Sequence, residues 1–439
     1  GAGGLPARSR FRPGATRRFA DGAARRRGGP AGPRARFAAG PLPAEPLAAR
    51  AAQAAVGAGA ALAPDDAAAA QGGDIVLGAL SGGPAGWQGL VIADTAVEVL
   101  LEGVRIENGG RDGAMVQWGK VRGSVTRSTF RGAAGYPLTL PLSHIDAVMG
   151  AHQQVMVNRN HYEGNGVDRI LVQTAGSELA QRQVVLADPG AGVEFDGDVV
   201  LGGTSAPLVD IDAGVRFYLR GGKAIRIGSG PRQANVRLNE ARGATAVEVH
   251  AAQPGQPHAG LVVDEGSSLR EDDDAAVGLV VDGGGAGEAF VTVRGVLELV
   301  GLTVTGDALS AGATGLLVDG GGEATVEGPR LSQLAVGARA AEGARLILQK
   351  GWITACSQWG VVNEDASRCS TAARIWWGDA GGPLDPSAAE DGCMNVANET
   401  AGTRVSDDVD WAGYAIDEQL TPVGGIQGSK KAFLPFARR

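Results

Sequence analysis

Three near-copies of one short segment decide the fold: GLVVDEGS at residues 260–267, GLVVDGGG at 278–285 and GLLVDGGG at 315–322. Each copy has a glycine, a short apolar run, an aspartate and a glycine-containing turn. The apolar run is too short for a helix, and its β-branched content favours a strand. The segment that follows has the Gly and Asx chemistry of a sharp corner.

Looser copies begin at Gly295, Gly337 and Gly360, which extends the series that starts at Gly260. The successive intervals vary only modestly around a period of roughly 20 residues, with loops of variable length, which is typical of a solenoid coil. A second apolar alternation lies between the copies, so we expect two to three short strands per coil.

Strands at this spacing cannot pair as hairpins, because no two-residue reversal lies between them. They can stack in parallel, each coil hydrogen-bonded to the next, with inward ladders of Leu, Val and Ile. The sequence therefore predicts an all-β fold, a single-stranded right-handed parallel β-helix. Glycine supplies 71 of 439 residues and aromatic residues only 5%, which suits a thin core of small side chains.

The same pattern of strand and turn continues toward the N-terminus, where Ile106, Phe130 and Tyr162 are successive core landmarks. The intervals between them are longer than those of the later series, which predicts coils with longer loops. We therefore expect three regions: residues 1–74 as a low-complexity, disordered or processing segment, 75–380 as the β-helix, and 381–439 as a C-terminal cap and tail.

The charge of the chain is unevenly distributed. Residues 1–50 contain 11 Arg against two acidic residues, a net charge of +9, which leaves −17 for the remainder of a chain whose total is −8. An acidic body argues against nucleic-acid binding by the folded part. There is no run of 18 strongly apolar residues, so we expect no transmembrane segment.

The three cysteines are Cys356, Cys369 and Cys393. A Cys369–Cys393 disulfide with one free thiol would fit an exported protein, and three buried thiols would fit a cytoplasmic one. No CxxC spacing for a zinc or redox site is present. We expect an extracellular or cell-surface location and leave the alternative open.

Two regions resemble bacterial secreted right-handed β-helix repeat proteins, a group with pectate lyase-like architecture. GGPAGWQGLVIAD at 82–94, followed by EGVRIENGG, resembles their opening coils. IWWGDAGGP at 375–383, followed by RVSDDVDWAGY at 404–414, resembles their closing segment. Ile375 departs from the pattern, which usually has Asn there, and the loop at 384–403 is long. The group includes lyases, epimerases and adhesins, so the resemblance implies a fold rather than one activity.

The best concentration of acid–base groups lies at residues 143–166. His144, His152, Arg159 and Tyr162 are the candidate catalytic residues for a lyase or epimerase. The competing interpretation places Tyr162 in the core, in line with Ile106 and Phe130. The acidic run REDDDA at 270–275 could bind Ca²⁺ but lacks the spacing of an EF-hand loop, so a solvated charge run is the alternative and no cofactor is expected.

Five tryptophans have separate predicted roles. Trp118 and Trp359 are the candidate binding residues, on the condition that they line one outer face. Trp376, Trp377 and Trp411 are predicted to close the end of the solenoid. Because neighbouring side chains of a strand face opposite ways, one of the adjacent pair should enter the core and the other should lie outside.

These patterns favour a secreted or cell-surface β-helix protein with a structural or adhesive role that contacts a polysaccharide or a cell-surface partner and lacks catalysis. The alternative is a carbohydrate-active enzyme, a polysaccharide lyase or epimerase that acts on an acidic glycan. The sequence leaves the oligomeric state open.

Overall fold

The chain folds as an all-β parallel solenoid of about ten turns, of the right-handed type. The computed structural model describes residues 75–78, 87–96, 98–110, 113–175, 179, 183–241, 244, 246–272, 277–287, 289–307, 312–385, 393, 398, 400–411, 413–420 and 422. The expectation for residues 1–74 lies outside this set. Among the described residues, none of the helices is long and apolar enough to cross a membrane.

The strands follow one another with short connections. The first ten are β1 (Ile75–Gly78), β2 (Leu90–Ile92), β3 (Glu98–Glu102), β4 (Val104–Glu107), β5 (Ala114–Trp118), β6 (Arg122–Thr126), β7 (Thr129–Arg131), β8 (Tyr136–Pro141), β9 (His161–Glu163) and β10 (Arg169–Gln173). The next ten are β11 (Gln183–Leu186), β12 (Gly192–Phe195), β13 (Val199–Leu201), β14 (Leu208–Asp212), β15 (Arg216–Leu219), β16 (Ala224–Ile227), β17 (Asn235–Asn239), β18 (Ala246–Ala251), β19 (Gly260–Val263) and β20 (Ser268–Glu271). The last are β21 (Gly278–Asp282), β22 (Ala289–Val293), β23 (Val296–Thr305), β24 (Thr314–Val318), β25 (Glu323–Ser332), β26 (Val336–Ala340), β27 (Arg345–Thr354), β28 (Trp359–Asn363), β29 (Ser370–Trp376) and β30 (Val409–Asp410).

The strands form three walls; wall A already begins with the first coils, and from β10 onward successive strands of each coil lie on all three walls. Wall A contains β2, β5, β8, β10, β12, β15, β18, β21 and the second halves of β23, β25, β27 and β29. Wall B contains β13, β16, β19, β22, β24, β26 and β28. Wall C contains β11, β14, β17, β20, the first halves of the same four long strands, and β30. In the first coils, β1, β4, β7 and β9 form a separate sheet and β3 pairs with β6.

Positive backbone φ angles mark the corner between walls C and A in the last coils. The corner residues of β23, β25, β27 and β29 are Gly301, Gly328, Lys350 and Arg374, with φ of 117°, 72°, 54° and 57°. Glycine adopts this region without steric cost, whereas Lys and Arg rarely do. The corner is therefore set by the repeated coil geometry and not by glycine alone.

The core is built from inward ladders of aliphatic side chains on each wall. On wall C, Leu297, Ala324 and Leu346 are consecutive partners and are at most 1% exposed. On wall B, Leu316, Ala338 and Val361 repeat the arrangement with no exposure. Stacking of aliphatic side chains at the coil spacing removes apolar surface from water with few large rings, as the composition predicts.

The repeated segments lie on the walls in an order that spacing alone does not reveal. Gly260 and Gly315 begin copies on wall B, but Gly278 begins β21 on wall A. The interval from Gly260 to Gly278 is therefore a step between walls and not a full coil. The predicted assignment of one repeat copy to each coil is corrected in this way.

The length of a coil also varies along the solenoid. Near the C-terminus one coil separates Leu316 from its partner Ala338, and the next separates Ala338 from Val361. Between β16 and β19 the coil is longer and runs from Ile225 to its partner Leu261. A uniform period of roughly 20 residues, as the sequence repeats suggest, thus underestimates the coil where loops are inserted.

The N-terminal landmarks occupy one position of consecutive coils. Ile106 on β4 is the partner of Phe130 on β7, which is the partner of Tyr162 on β9. The prediction from their spacing is confirmed. Between β8 and β9 the chain leaves strand geometry for helix α1 (Asp146–Met149) and for the 3₁₀ segments Leu142–His144, Ala151–Gln154 and Met156–Asn158.

A disulfide joins Cys369 to Cys393, with Cα atoms 5.8 Å apart, and Cys356 is a free, half-buried thiol. The bridge connects the turn before β29 to the chain that leads to β30, across a sequence separation of 24. We expect its reduction to lower the free energy of unfolding by about 2–4 kcal/mol, because the reduced chain regains loop entropy. Denaturant titrations with and without reductant would measure the loss, and an unchanged midpoint would contradict a stabilising role.

Candidate functional site

The outer face of wall A combines acidic, basic and aromatic side chains. Glu194 on β12, Tyr218 on β15 and His250 on β18 are partners in consecutive coils. Asp282, on β21, contacts His250 from the next coil. Alternation along each strand places these side chains outside while their neighbours fill the core.

Glu194 is the centre of the first polar group on wall A. Its carboxylate accepts hydrogen bonds from the Tyr136 hydroxyl at 2.8 Å, Arg220 Nε at 3.0 Å and Arg169 Nη1 at 3.3 Å. The Glu194 side chain is 5% exposed, whereas Arg169 and Arg220 are 27% and 39% exposed. Two guanidinium groups thus share one buried carboxylate, and the cluster carries one excess positive charge that faces solvent.

Tyr136 remains a phenol in this cluster. Burial, with the neighbouring Glu194 carboxylate, raises the pKa of Tyr136 above its ordinary value of 10.0. Its hydroxyl therefore donates to Glu194 at neutral pH and cannot serve as a ready base.

A column of planar groups connects this cluster to the next coils. The Arg169 guanidinium lies 3.8 Å from the centre of the Tyr218 ring, and that ring lies 5.2 Å from the His250 imidazole. Cation–π contact and packing between rings orient all three groups against the wall. The result is a continuous surface of aromatic and charged atoms across four successive strands of wall A, from β10 to β18.

The C-terminal part of wall A has an aromatic cleft of about 310 Å³. Trp352 on β27 is the partner of Arg330 on β25 and of Trp376 on β29, and both indoles are half-buried on the outer side. The Arg330 guanidinium lies 4.5 Å from the Trp352 ring centre, and the Trp352 indole donates to the Glu418 carbonyl at 3.2 Å. The residues that line the cleft are Arg330, Leu331, Ser332, Trp352, Thr354 and Glu418.

The Glu194 cluster and the aromatic cleft lie on one uninterrupted wall. Six strand-to-strand steps separate β12 from β27, the strand of Trp352, which at the usual strand spacing corresponds to roughly 29 Å. A long, extended ligand could contact both groups, whereas a small ligand could contact only one.

Two predicted catalytic histidines lie in the helical segment and not on a wall. His144 Nδ1 is 2.9 Å from the Ser143 hydroxyl. Burial lowers the pKa of His152 below its ordinary value of 6.5, so this ring is neutral at pH 7. The stacking between coils that was expected to bring them together is absent from this described segment, because residues 142–158 form short helices.

Arg159 and Tyr162 also have structural partners. Arg159 forms an ion pair with Asp188 at 3.2 Å. The Tyr162 ring stacks on Phe130, centres 5.1 Å apart, and packs against the core, and burial raises the pKa of Tyr162 well above 10. The expectation that Tyr162 acts as a base in an exposed groove is therefore corrected, because its inward ring continues the ladder of Ile106 and Phe130.

The predicted binding tryptophans do not share a face. Trp118, on β5 of wall A, is 3% exposed and donates from its indole to the Val121 carbonyl. This candidate is wrong, because the strand alternation turns its ring inward. Trp359 lies on wall B, where the Arg404 guanidinium covers its ring at 4.0 Å from the centre.

The closing tryptophans divide as the alternation predicts. Trp377 is fully buried, and Trp376 lies on the outer face of wall A. Trp411 is 5% exposed and donates to the buried Asp385 carboxylate at 2.8 Å. Segment 413–415 bonds to Arg374 and Ile375 of β29, and Glu418 then returns toward Trp352. The end of the solenoid is thus covered by a folded C-terminal segment.

The acidic run at 270–275 is only partly described. Glu271 ends β20, and its carboxylate accepts from the backbone N–H groups of Val277 and Val300. Within the described ranges there is no group of three or more His, Cys, Asp or Glu side chains placed to hold a metal ion. Residues 273–275 lie outside those ranges, so the Ca²⁺ alternative stays a prediction.

No protein-family model matches the sequence, and no significant match was found among curated proteins or solved structures. The parallel β-solenoid architecture is shared with bacterial secreted β-helix proteins. The rest of the resemblance stays an interpretation of the residues quoted above.

Proposed function

We propose that this chain is a secreted or cell-surface β-solenoid that binds an acidic polysaccharide along wall A and serves adhesion rather than catalysis. The observation that carries the proposal is the half-buried Trp352 in the lining of a cleft that it shares with the polar groups of Ser332, Thr354 and Arg330. An indole offers an apolar face to the C–H side of a sugar ring, while the surrounding hydroxyls and guanidinium suit its hydroxyl groups.

The charge of the ligand follows from the Glu194 cluster. Arg169 and Arg220 have more N–H donors than one carboxylate can accept, and both side chains reach solvent. A carboxylate or sulfate on the polysaccharide would complete this group, because planar guanidinium groups favour such oxyanions. Because the chain as a whole is acidic, the positive charge of the Glu194 cluster would direct an anionic partner to this part of wall A.

The Cys369–Cys393 disulfide supports the extracellular location in this proposal. Disulfides persist in oxidising compartments and are uncommon in the cytosol. A location outside the cell would also bring the wall into contact with polysaccharides.

A panel of acidic and neutral polysaccharides, read both for binding and for new ultraviolet absorbance from unsaturated products, tests this function. We expect binding to acidic polysaccharides without a rise in absorbance. Absence of binding to every member would contradict the proposal, and a rise in absorbance would establish cleavage by elimination.

The second candidate is a polysaccharide lyase or epimerase, favoured by the Tyr136–Glu194–Arg220 arrangement. Tyr136, protonated at neutral pH, could donate a proton, and the arginines could stabilise a developing anion. The adhesive role is preferred because this arrangement lacks a free base among the described groups that contact Glu194. Sugar analysis of the recovered polysaccharide distinguishes an epimerase, which produces no absorbance change.

Replacing Arg220 with glutamine should weaken binding of an acidic polysaccharide by about tenfold and leave neutral chains unaffected, because one charged donor is lost. Surface binding assays at low and moderate salt would measure the effect, which should shrink as salt rises. Arg105→Gln, at an exposed arginine of β4 outside wall A, is the matched control. An equal loss in both variants would point to non-specific charge attraction.

A further inference from the structure

His250 is held between two carboxylates on successive coils. Its Nδ1 is 2.7 Å from Asp282 Oδ1 on β21, and its Nε2 is 2.8 Å from Glu248 Oε2 on the same strand, β18. Carboxylate oxygens accept hydrogen bonds, so both contacts form together only when both ring nitrogens carry protons. The geometry thus selects the imidazolium.

The other groups around His250 do not replace this charge. Tyr218 packs against the ring from β15, Arg216 of the same strand is the register partner of Glu248, and the Arg169 guanidinium packs over the Tyr218 ring. His258, just before β19, accepts at Nδ1 from the Gly260 N–H and therefore donates from Nε2 to the Asp282 carbonyl, so it is neutral. Burial also lowers the pKa of His258, which leaves His250 as the proton-binding group of this cluster.

We propose that His250 is a proton-operated clamp: its protonated ring links Glu248 of β18 to Asp282 of β21 and sets the local charge of wall A beside the Glu194 cluster. With its proton, His250 offsets one of the two carboxylates of Glu248 and Asp282. Without it, the pair carries two negative charges, one of the carboxylates loses its hydrogen bond, and both face the path of the anionic chain. The effect on binding rests on the proposed function, whereas the clamp itself does not.

The direction of the pH effect follows from these contacts. The hydrogen bond to Asp282, with that to Glu248, raises the pKa of His250 above its ordinary value of 6.5 against the opposing effect of burial. A raised folded-state pKa gives stability that is fully present below pH 6.5 and is lost as pH rises through the pKa of the folded protein. Binding of an acidic polysaccharide should weaken over the same interval.

The size of the binding effect follows from the distance between the groups. Arg169 and His250 both pack against the Tyr218 ring, so loss of one charge at His250 changes the affinity for an anion at Arg169 by about two- to tenfold. The change should be largest at low ionic strength.

Proton NMR of the histidine Cε1–H signals of the intact chain, with thermal melts at the same pH values, tests the clamp without a ligand. His250→Asn identifies the signal and should flatten the dependence of melting temperature on pH above 6.5. His161→Asn, at an exposed histidine of β9, is the control that should leave it unchanged. Asp282→Asn keeps the His250 ring and should lower its pKa, because one hydrogen-bonded carboxylate is lost.

Affinity for an acidic polysaccharide, measured across the same pH range, completes the test. A His250 pKa above 6.5 that falls in Asp282→Asn supports the clamp even if no polysaccharide binds, in which case only the proposed function fails. A His250 pKa at or below 6.5, or a melting profile that His250→Asn leaves unchanged, overturns the clamp whatever the wall binds. Binding that occurs but does not change across the His250 titration overturns its effect on the wall.

Discussion

Replacing Trp377 with alanine is expected to lower the free energy of unfolding of the C-terminal coils by about 3–5 kcal/mol, because a fully buried indole leaves a cavity. The same change at Trp376 should cost about 1 kcal/mol, since that ring is half-buried on the outer face. The two residues are adjacent and of one type, so their difference isolates burial.

Hydrogen exchange resolved by segment is the appropriate measurement, because coils of a solenoid contact only their neighbours and can unfold from an end. Protection should fall in β27–β29 of the Trp377→Ala variant and remain in β14–β18. Trp377→Phe, which keeps a buried ring, should retain most of the protection. Equal losses at both tryptophans would contradict the assignment of Trp377 as the closing core residue.

Replacing Trp352 with alanine is expected to weaken polysaccharide binding by about 30-fold, the effect of losing a central aromatic contact worth roughly 2 kcal/mol. The ring lines the cleft, in contact with Arg330 and Glu418, and it is the only aromatic side chain among the described residues of that lining. Isothermal titration calorimetry of the folded variant would measure the loss.

Trp359→Ala is the matched control, because Trp359 lies on wall B under the Arg404 guanidinium. It should bind as the unmodified chain does. If Trp352→Ala binds the polysaccharide with unchanged affinity and has an unchanged circular dichroism spectrum, the cleft is not the binding surface.

The architecture was predictable because each coil of a solenoid repeats the same pattern of apolar strands and glycine-containing corners. Short apolar runs, glycine corners and the spacing of Ile106, Phe130 and Tyr162 predicted parallel stacking, and those three residues are partners in the structure. The opposite orientations of the Trp376 and Trp377 side chains follow from strand alternation alone. The wall to which each run belongs was not predictable, because Gly260 and Gly278 have nearly identical surroundings in sequence and lie on different walls.

The candidate site was mostly missed, because its members are far apart in sequence and join only through coil stacking. Glu194 meets Arg169 and Arg220, which lie 25 and 26 residues away, and Tyr136, 58 residues away. A charged residue inside an apolar strand such as GVEF, residues 192–195, was the available signal. The segment at 143–166 has a high local density of acid–base residues, but that density does not predict that their side chains converge, because residues 142–158 of the segment fold into short helices.

Calorimetric titration with acidic oligosaccharides of increasing length tests most directly the claim that wall A binds an extended chain. Affinity should rise with length and level off once the chain spans the roughly 29 Å between the Glu194 cluster and Trp352, because both groups then act on one ligand. Arg220→Gln or Trp352→Ala should remove most of the gain from length. Affinity that does not depend on length, or no binding at any length, would contradict the account.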